Sequence, residues 1–109
     1  MQKKKNYQAA ILIFEKILDV EQNHPEALFG TATSYYFLDQ RDAARKFFNR
    51  LIFIQPSHFE ARNQLGEIFY HVGDFERAKN QWQKALKLKP GYKNAIKNLQ
   101  LLNKMEYVK

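Results

Sequence analysis

The feature that most constrains this 109-residue chain is that it repeats itself every 34 residues. Shifted by that period, Ala10, Ala44 and Ala78 fall in one column and Phe14, Phe48 and Trp82 in another. Leu18, Ile52 and Leu86 form a third, and Val20, Ile54 and Leu88 a fourth. Ala27, Ala61 and Ala95 align as well, Tyr35 matches Phe69, and Pro56 matches Pro90. Size and polarity recur together. A period of this length marks a supersecondary unit that buries its apolar face by stacking on copies of itself.

Within one period the apolar spacing is helical. Leu65, Phe69 and Val72 lie at steps of four and three, and Ala78, Trp82, Ala85 and Leu86 resume the pattern after a break. That is the stripe of an amphipathic helix, not the alternation of a strand. The break is Gly73-Asp74: glycine can take the left-handed conformation that closes one helix, and aspartate can cap the next. A second boundary is Pro56-Ser57-His58-Phe59-Glu60, where Ser57 and Glu60 have capping-box spacing. Pro25 suits a first-turn position. We expect six helices, near 5–21, 25–38, 41–54, 58–72, 75–88 and 92–106, joined by loops too short for anything but antiparallel neighbours. Four glycines and three prolines are too few for a turn-rich β chain.

The residues Leu65-Gly66, Phe69, Gly73-Asp74-Phe75, Ala78, Trp82, Ala85-Leu86 and Pro90 together resemble a tetratricopeptide repeat. The match is specific over 57–90 and good over 25–56. Residues 5–22 resemble only the second helix of a repeat, and 91–106 only the first. Arg62 stands where the family usually has a large aromatic, Asp39-Gln40 replaces the Gly-Asp turn, and Gln22 replaces the terminal proline. The resemblance implies an all-α fold, an α-solenoid of antiparallel helix pairs in a right-handed superhelix, forming one domain over 1–109. Ala32 and Gly66 let paired helices approach closely, as Ala44 and Ala78 do from the other side. Gln100 takes that place in the last helix, which points to a capping helix.

The resemblance also implies that the first helix of each pair lines a concave groove for peptides or helices of a partner. Projected by helical spacing, that face holds Phe29, Thr33, Tyr36 and Phe37, then Asn63, Glu67, Tyr70 and His71, then Lys97, Leu101, Lys104 and Met105. The opposite, buried face holds Leu28, Ala32 and Tyr35, then Leu65, Phe69 and Val72, then Ile96, Leu99 and Leu102. The projected groove grades from aromatic to polar to basic, which suits a segment with an apolar or aromatic anchor and acidic residues on one side. The plainer alternative is that the aromatics pack on neighbouring helices and the lysines are surface charge. Some relatives grip a C-terminal carboxylate with lysine, asparagine and arginine. The corresponding places here hold Phe29, Thr33, Asn63, Glu67 and Asn94, and Glu67 would repel an acidic tail.

The first helix is apolar where its copies are polar. Ile11, Leu12 and Ile13 stand in the columns of Arg45, Lys46 and Phe47, and of Lys79, Asn80 and Gln81. Left uncovered, Ile11, Leu12 and Ile13, extended by Phe47 and Phe53, would form an apolar edge of a kind monomers rarely keep. A longer array, a homodimer or a partner protein could each cover it, and burial within the chain is the remaining option. A two-fold contact is the commonest oligomer and is slightly preferred.

Composition sets the outer limits. Residues 1–76 hold nine basic and ten acidic residues, whereas 77–109 hold nine basic residues and only Glu106 as acid, so the net +7 is concentrated in the last third. Lys79, Lys84, Lys87, Lys89, Lys93 and Lys97 could neutralise phosphates, but arginine is sparse there and no RNA-binding aromatic motif occurs, which disfavours nucleic acid. Cysteine is absent, which excludes disulfides and thiolate chemistry. His24, His58 and His71 have no metal spacing, and neither a phosphate-binding glycine loop nor a nucleophile with a nearby base is present. We therefore expect no catalytic, cofactor or metal site. The run Ala9 to Phe14 is six residues long, short of a secretory apolar region of about 7–15 and of the ~20 a membrane span needs. A soluble, cytoplasmic interaction module is the expectation, with self-assembly through the first helix as the alternative.

Overall fold

The computed structural model describes residues 2–108, and side chains over 3–105. Among these residues the chain forms six helices: α1 (Gln2–Val20), α2 (Pro25–Phe37), α3 (Arg41–Ile54), α4 (Phe59–His71), α5 (Phe75–Leu88) and α6 (Lys93–Val108). The fold is all-α. The ends fall within a few residues of expectation, the largest shift being the start of α1, which also takes in Lys3 and Lys4; lysine is a good helix former and nothing there breaks the turn. The chain divides into two compact units between Pro56 and Ser57.

The period is visible in the backbone. Glu21, Gln55 and Lys89, one period apart, each send a backbone N–H to the carbonyl four residues back, on Ile17, Leu51 and Ala85. The turn within each unit is also copied. Gln40 N–H donates to Tyr35 O at 2.9 Å, and Asp74 N–H donates to Phe69 O at 2.9 Å. Both turns need one left-handed residue, supplied by Asp39 (φ 62°) in the first unit and Gly73 (φ 84°) in the second.

Among the described residues, side chains cap helix starts in three places. Asp74 Oδ1 accepts from Arg77 N–H at 3.2 Å, as its position suggests. The start of α4 corrects a sequence expectation. Its N-cap is His58, whose Nδ1 accepts from Ala61 N–H at 3.1 Å, so Ser57 lies outside the cap. His24 does the same for α2, accepting from Ala27 N–H at 3.1 Å. A ring nitrogen that accepts this bond carries no proton, so Glu26 Oε1, 3.6 Å from the same atom, is not an ion-pair partner in the capped state.

In the unit 57–109, contacts climb α4 as they descend α5: Asn63 meets Trp82, and Tyr70 meets Phe75. The two helices are antiparallel and close. A Cβ added at Gly66 would run into the Trp82 indole, so glycine is required for the ring to lie there. Trp82 Nε1–H donates to Asn63 O at 3.1 Å, which satisfies the buried indole. Phe69, Ala78, Trp82, Ala85, Ala95 and Leu102 form the core around it. On α6, Asn98 and Met105 meet Asn63 and Tyr70, so α6 runs parallel to α4.

In the unit 2–56, Tyr7 stacks on Phe37 at 5.2 Å and Phe14 fills the space beside Gly30, so α1 runs antiparallel to α2. Phe29 meets Phe48 edge-on at 6.1 Å and Tyr35 stacks on Phe47 at 5.8 Å, tying α2 to α3. Ala27, Leu28, Ala32, Ala44, Phe48 and Leu51 are fully buried. Val72, by contrast, is 58 % exposed, against the expectation of burial. It is the C-cap of α4, where the helical spacing that placed it inward has already ended.

Candidate functional site

The face shared by α4 and α6 carries a polar cluster joined by three side-chain hydrogen bonds. Asn63 was expected to point outward. The structure corrects that: Asn63 is 2 % exposed. Its Nδ2 donates to Glu67 Oε2 at 3.2 Å, one helical turn on. Asn98 Nδ2 on α6 donates both to Asn63 Oδ1 at 3.2 Å and to Glu67 Oε2 at 3.3 Å. A buried amide must find partners, and here two amides converge on one carboxylate oxygen. Because the residues come from two helices, the carboxylate is held in place rather than free to rotate.

Beside this cluster lies a recess of about 230 Å³ lined by Glu67, Tyr70, His71, Trp82, Asn98 and Leu101. The Tyr70 and Trp82 rings lie 6.0 Å apart and give it an aromatic wall. Tyr70 OH reaches Met105 Sδ at 3.3 Å, which fixes the phenol ring. His71, Lys97, Leu101 and Lys104 are exposed. Four of the projected residues (Glu67, Tyr70, His71 and Leu101) therefore line one recess, while Lys97 and Lys104 are exposed and are not among its lining residues.

The projected residues of α2 are more involved in packing. Phe29, Thr33 and Tyr36 are half-buried, with Phe29 against Phe48. Phe37 is 53 % exposed and is flanked by Tyr7 and by the edge of Tyr36 at 5.3 Å. A shallower recess of about 460 Å³ opens beside it, lined by Lys3, Lys4, Tyr7, Phe37, Leu38 and Asp39.

The apolar edge of α1 is narrower than expected. Leu12 and Ile13 are 63 % and 60 % exposed, and Val20 lies open as well. Ile11, however, is buried, because one side of α1 packs along α2. Phe47 is also corrected: it is half-buried, stacked on Tyr35 and covered by the Arg50 guanidinium at 5.4 Å. Phe53 remains almost fully open. Among the described residues no helix is long and apolar enough to cross a membrane, and no group of three histidines or carboxylates is placed to hold a metal.

The family model for anaphase-promoting complex, cyclosome, subunit 3, a model of tetratricopeptide type, matches residues 3–85. The chain belongs to this tetratricopeptide-repeat family. Among individual proteins it is 29 % identical over 82 residues to rice (Oryza sativa subsp. japonica) DnaJ protein P58IPK homolog B, covering 75 % of this chain and 17 % of the rice protein. It is 27 % identical over 103 residues to heat shock protein STI1 of Saccharomyces cerevisiae, covering 94 % of this chain and 18 % of STI1. The chain thus spans less than a fifth of the length of these relatives. In structure it resembles the first tetratricopeptide domain of Spaghetti (RPAP3) bound to the HSP90 peptide SRMEEVD, with TM-score 0.88, 22 % identity, and coverage of 96 % and 83 % of the two chains. It also resembles YrrB, a tetratricopeptide protein with an unusual peptide-binding site, with TM-score 0.81, 19 % identity, and coverage of 88 % and 50 %.

In this tetratricopeptide chain Asn98 and Trp82 also line the α4–α6 recess, although helical projection of the groove face does not include them. A signal for Asn98 existed: it lies 35 residues after Asn63, and one period brings first helices side by side. Trp82 gave none, since its column reads simply as core.

Proposed function

We propose that the chain is a non-enzymatic protein-interaction module that holds a peptide or helix of a partner protein against the exposed faces of its first helices. The observation that carries this reading is the recess on α4 and α6, where Glu67, His71, Asn98 and Leu101 border an open concave surface beside the partly buried Tyr70 and the core residue Trp82. In the unit 2–56, exposed Phe37 on α2 offers by itself a contact of low rotamer cost. The bound peptide of the RPAP3 domain and the peptide-binding site of YrrB support the reading by kinship of fold. An acidic C-terminal tail is the wrong ligand for this recess, because Glu67 would face it. Capture of interacting proteins by the intact chain, compared with Glu67→Lys and with Tyr36→Ala/Phe37→Ala, tests the module. Both variants should lose capture with the circular dichroism spectrum unchanged; full retention by both rejects it.

Self-assembly is a second reading, favoured by Leu12 and Ile13 standing open on α1. Ile13→Glu then lowers the mass seen by light scattering from dimer to monomer. A mass that does not respond rejects that reading and leaves the first untouched.

A further inference from the structure

We infer that a second copy of the chain docks on α1, antiparallel, about a two-fold axis at Leu12 that sets Lys5 of each copy against Asp19 of the other. The inference rests on the self-assembly reading above and specifies its geometry.

The first observation is the open face of α1. Lys5, Ala9, Leu12, Lys16 and Asp19 are all exposed and follow one another at steps of four, three, four and three, with exposed Ile13 and Val20 beside them. That spacing is the seam along which two helices pair. Apolar Ala9 and Leu12 lie at its centre, and the aliphatic stem of Lys16 adds to them. The other side of α1 is already occupied: Tyr7 stacks on Phe37, Phe14 fills the space beside Gly30, and Ile11 is buried.

The second observation is the order of the charges. A helix is stabilised by acidic residues in its first turn and basic residues in its last. The later copies of this helix follow that rule: α5 has Glu76 and Lys87 in those places, and α3 has Asp42 in its first turn. α1 has neither. It opens on Lys3-Lys4-Lys5 and ends with Asp19, in the column of Lys87. Its charges work against its own dipole. They fit instead a helix that runs the other way, whose acidic end meets these lysines and whose lysines meet Asp19.

That helix is α1 of a second copy, because the pattern is self-complementary. Lys5 and Asp19 lie seven residues before and after Leu12, each two turns or about 10 Å away along one face. A two-fold axis at Leu12 exchanges the two ends, so both Lys5–Asp19 pairs form together and Leu12 meets its own copy. Gln8 then comes opposite Lys16, where its amide oxygen accepts from the ammonium. The surplus positive charge of the chain lies in 77–109, outside the unit that carries α1. A single helix pair is a small interface, so the dimer is weak and sensitive to concentration and salt.

Sedimentation of the intact chain over a range of concentrations tests the inference. Lys5→Glu sets two carboxylate pairs in place of two ion pairs and should weaken the dimer by roughly tenfold. Asp19→Lys should do the same, and Lys5→Glu/Asp19→Lys in one chain should recover the wild-type affinity. Each single change brings α1 closer to the charge order its dipole favours, so a weaker dimer cannot come from a weaker helix. Orientation is read by cross-linking, since the chain has no cysteine of its own. Under mild oxidation Lys5→Cys chains mixed with Asp19→Cys chains should join, and Lys5→Cys chains alone should not. A dimer that yields to Ile13→Glu but ignores the charge reversals, or that cross-links Lys5→Cys chains alone, overturns the inference and leaves self-assembly standing. A wild type that stays monomeric at millimolar concentration overturns both.

Discussion

The two compact units follow one register with different residues. The unit 57–109 turns at Gly73-Asp74, with glycine in the left-handed region and aspartate capping α5. The unit 2–56 turns at Asp39-Gln40, with a left-handed aspartate and an N-cap that makes no side-chain bond. Yet both turns make the same backbone hydrogen bond. The register is therefore carried by the buried columns, where Ala, Phe or Trp recur, and the turn residues adapt to it. The faces differ as well: the first unit shows an aromatic surface around Phe37, the second an ordered polar cluster beside an aromatic recess.

The sharpest way to break this comparison is at the ring columns. Trp82→Ala should cost about 3–5 kcal/mol, since it empties the centre of the second core and strands the Asn63 carbonyl. Phe14→Ala, at a half-buried ring, should cost about 1–3 kcal/mol. Chemical denaturation, with hydrogen exchange to locate the loss, distinguishes them; equal costs would mean that the columns do not set the register.

A smaller effect sharpens the comparison. Gly66→Ala gives the second unit the residue that Ala32 supplies in the first, but its Cβ meets the Trp82 indole. It should cost about 1–3 kcal/mol. Adding Trp82→Phe, the ring found in the column of Phe48, should recover part of that loss. Recovery to beyond the single variant's melting temperature is the readout.

The smallest effects lie in the turns. Asp39→Gly with Gln40→Asp should stabilise the chain by about 1–2 kcal/mol, by removing a strained φ and adding a cap. Gly73→Asp with Asp74→Gln should lower stability by a similar amount. A gain from the first pair and a loss from the second, both by thermal denaturation, would show that the two turns are interchangeable parts.

Much of the fold was legible in the sequence because core columns and turns follow local rules. Alanine and aromatic columns mark close packing, and Gly73-Asp74 and Pro25 mark helix ends. The misreadings have physical causes. Helical spacing projects Asn63 onto the open groove face, where a polar residue normally belongs, and its burial is tolerable because Glu67 and Asn98 together satisfy its amide. Ile11 belongs to the uninterrupted apolar run Ala9–Phe14, and such a run hides which of its sides packs. Val72 was placed in the core because spacing rules do not show where a helix stops. His58 displaced Ser57 as a cap because an imidazole nitrogen reaches the third N–H as well as a hydroxyl does. The Glu67 cluster joins residues from two helices, and no local pattern announces such a contact.

The most direct measurement is an amide chemical-shift titration of the intact, isotope-labelled chain with a peptide cut from a partner protein that it captures. Shifts concentrated at Glu67, Tyr70, His71, Asn98 and Leu101 are the predicted result. Shifts confined to the outer faces of α3 and α5, or to Leu12 and Ile13, would contradict it.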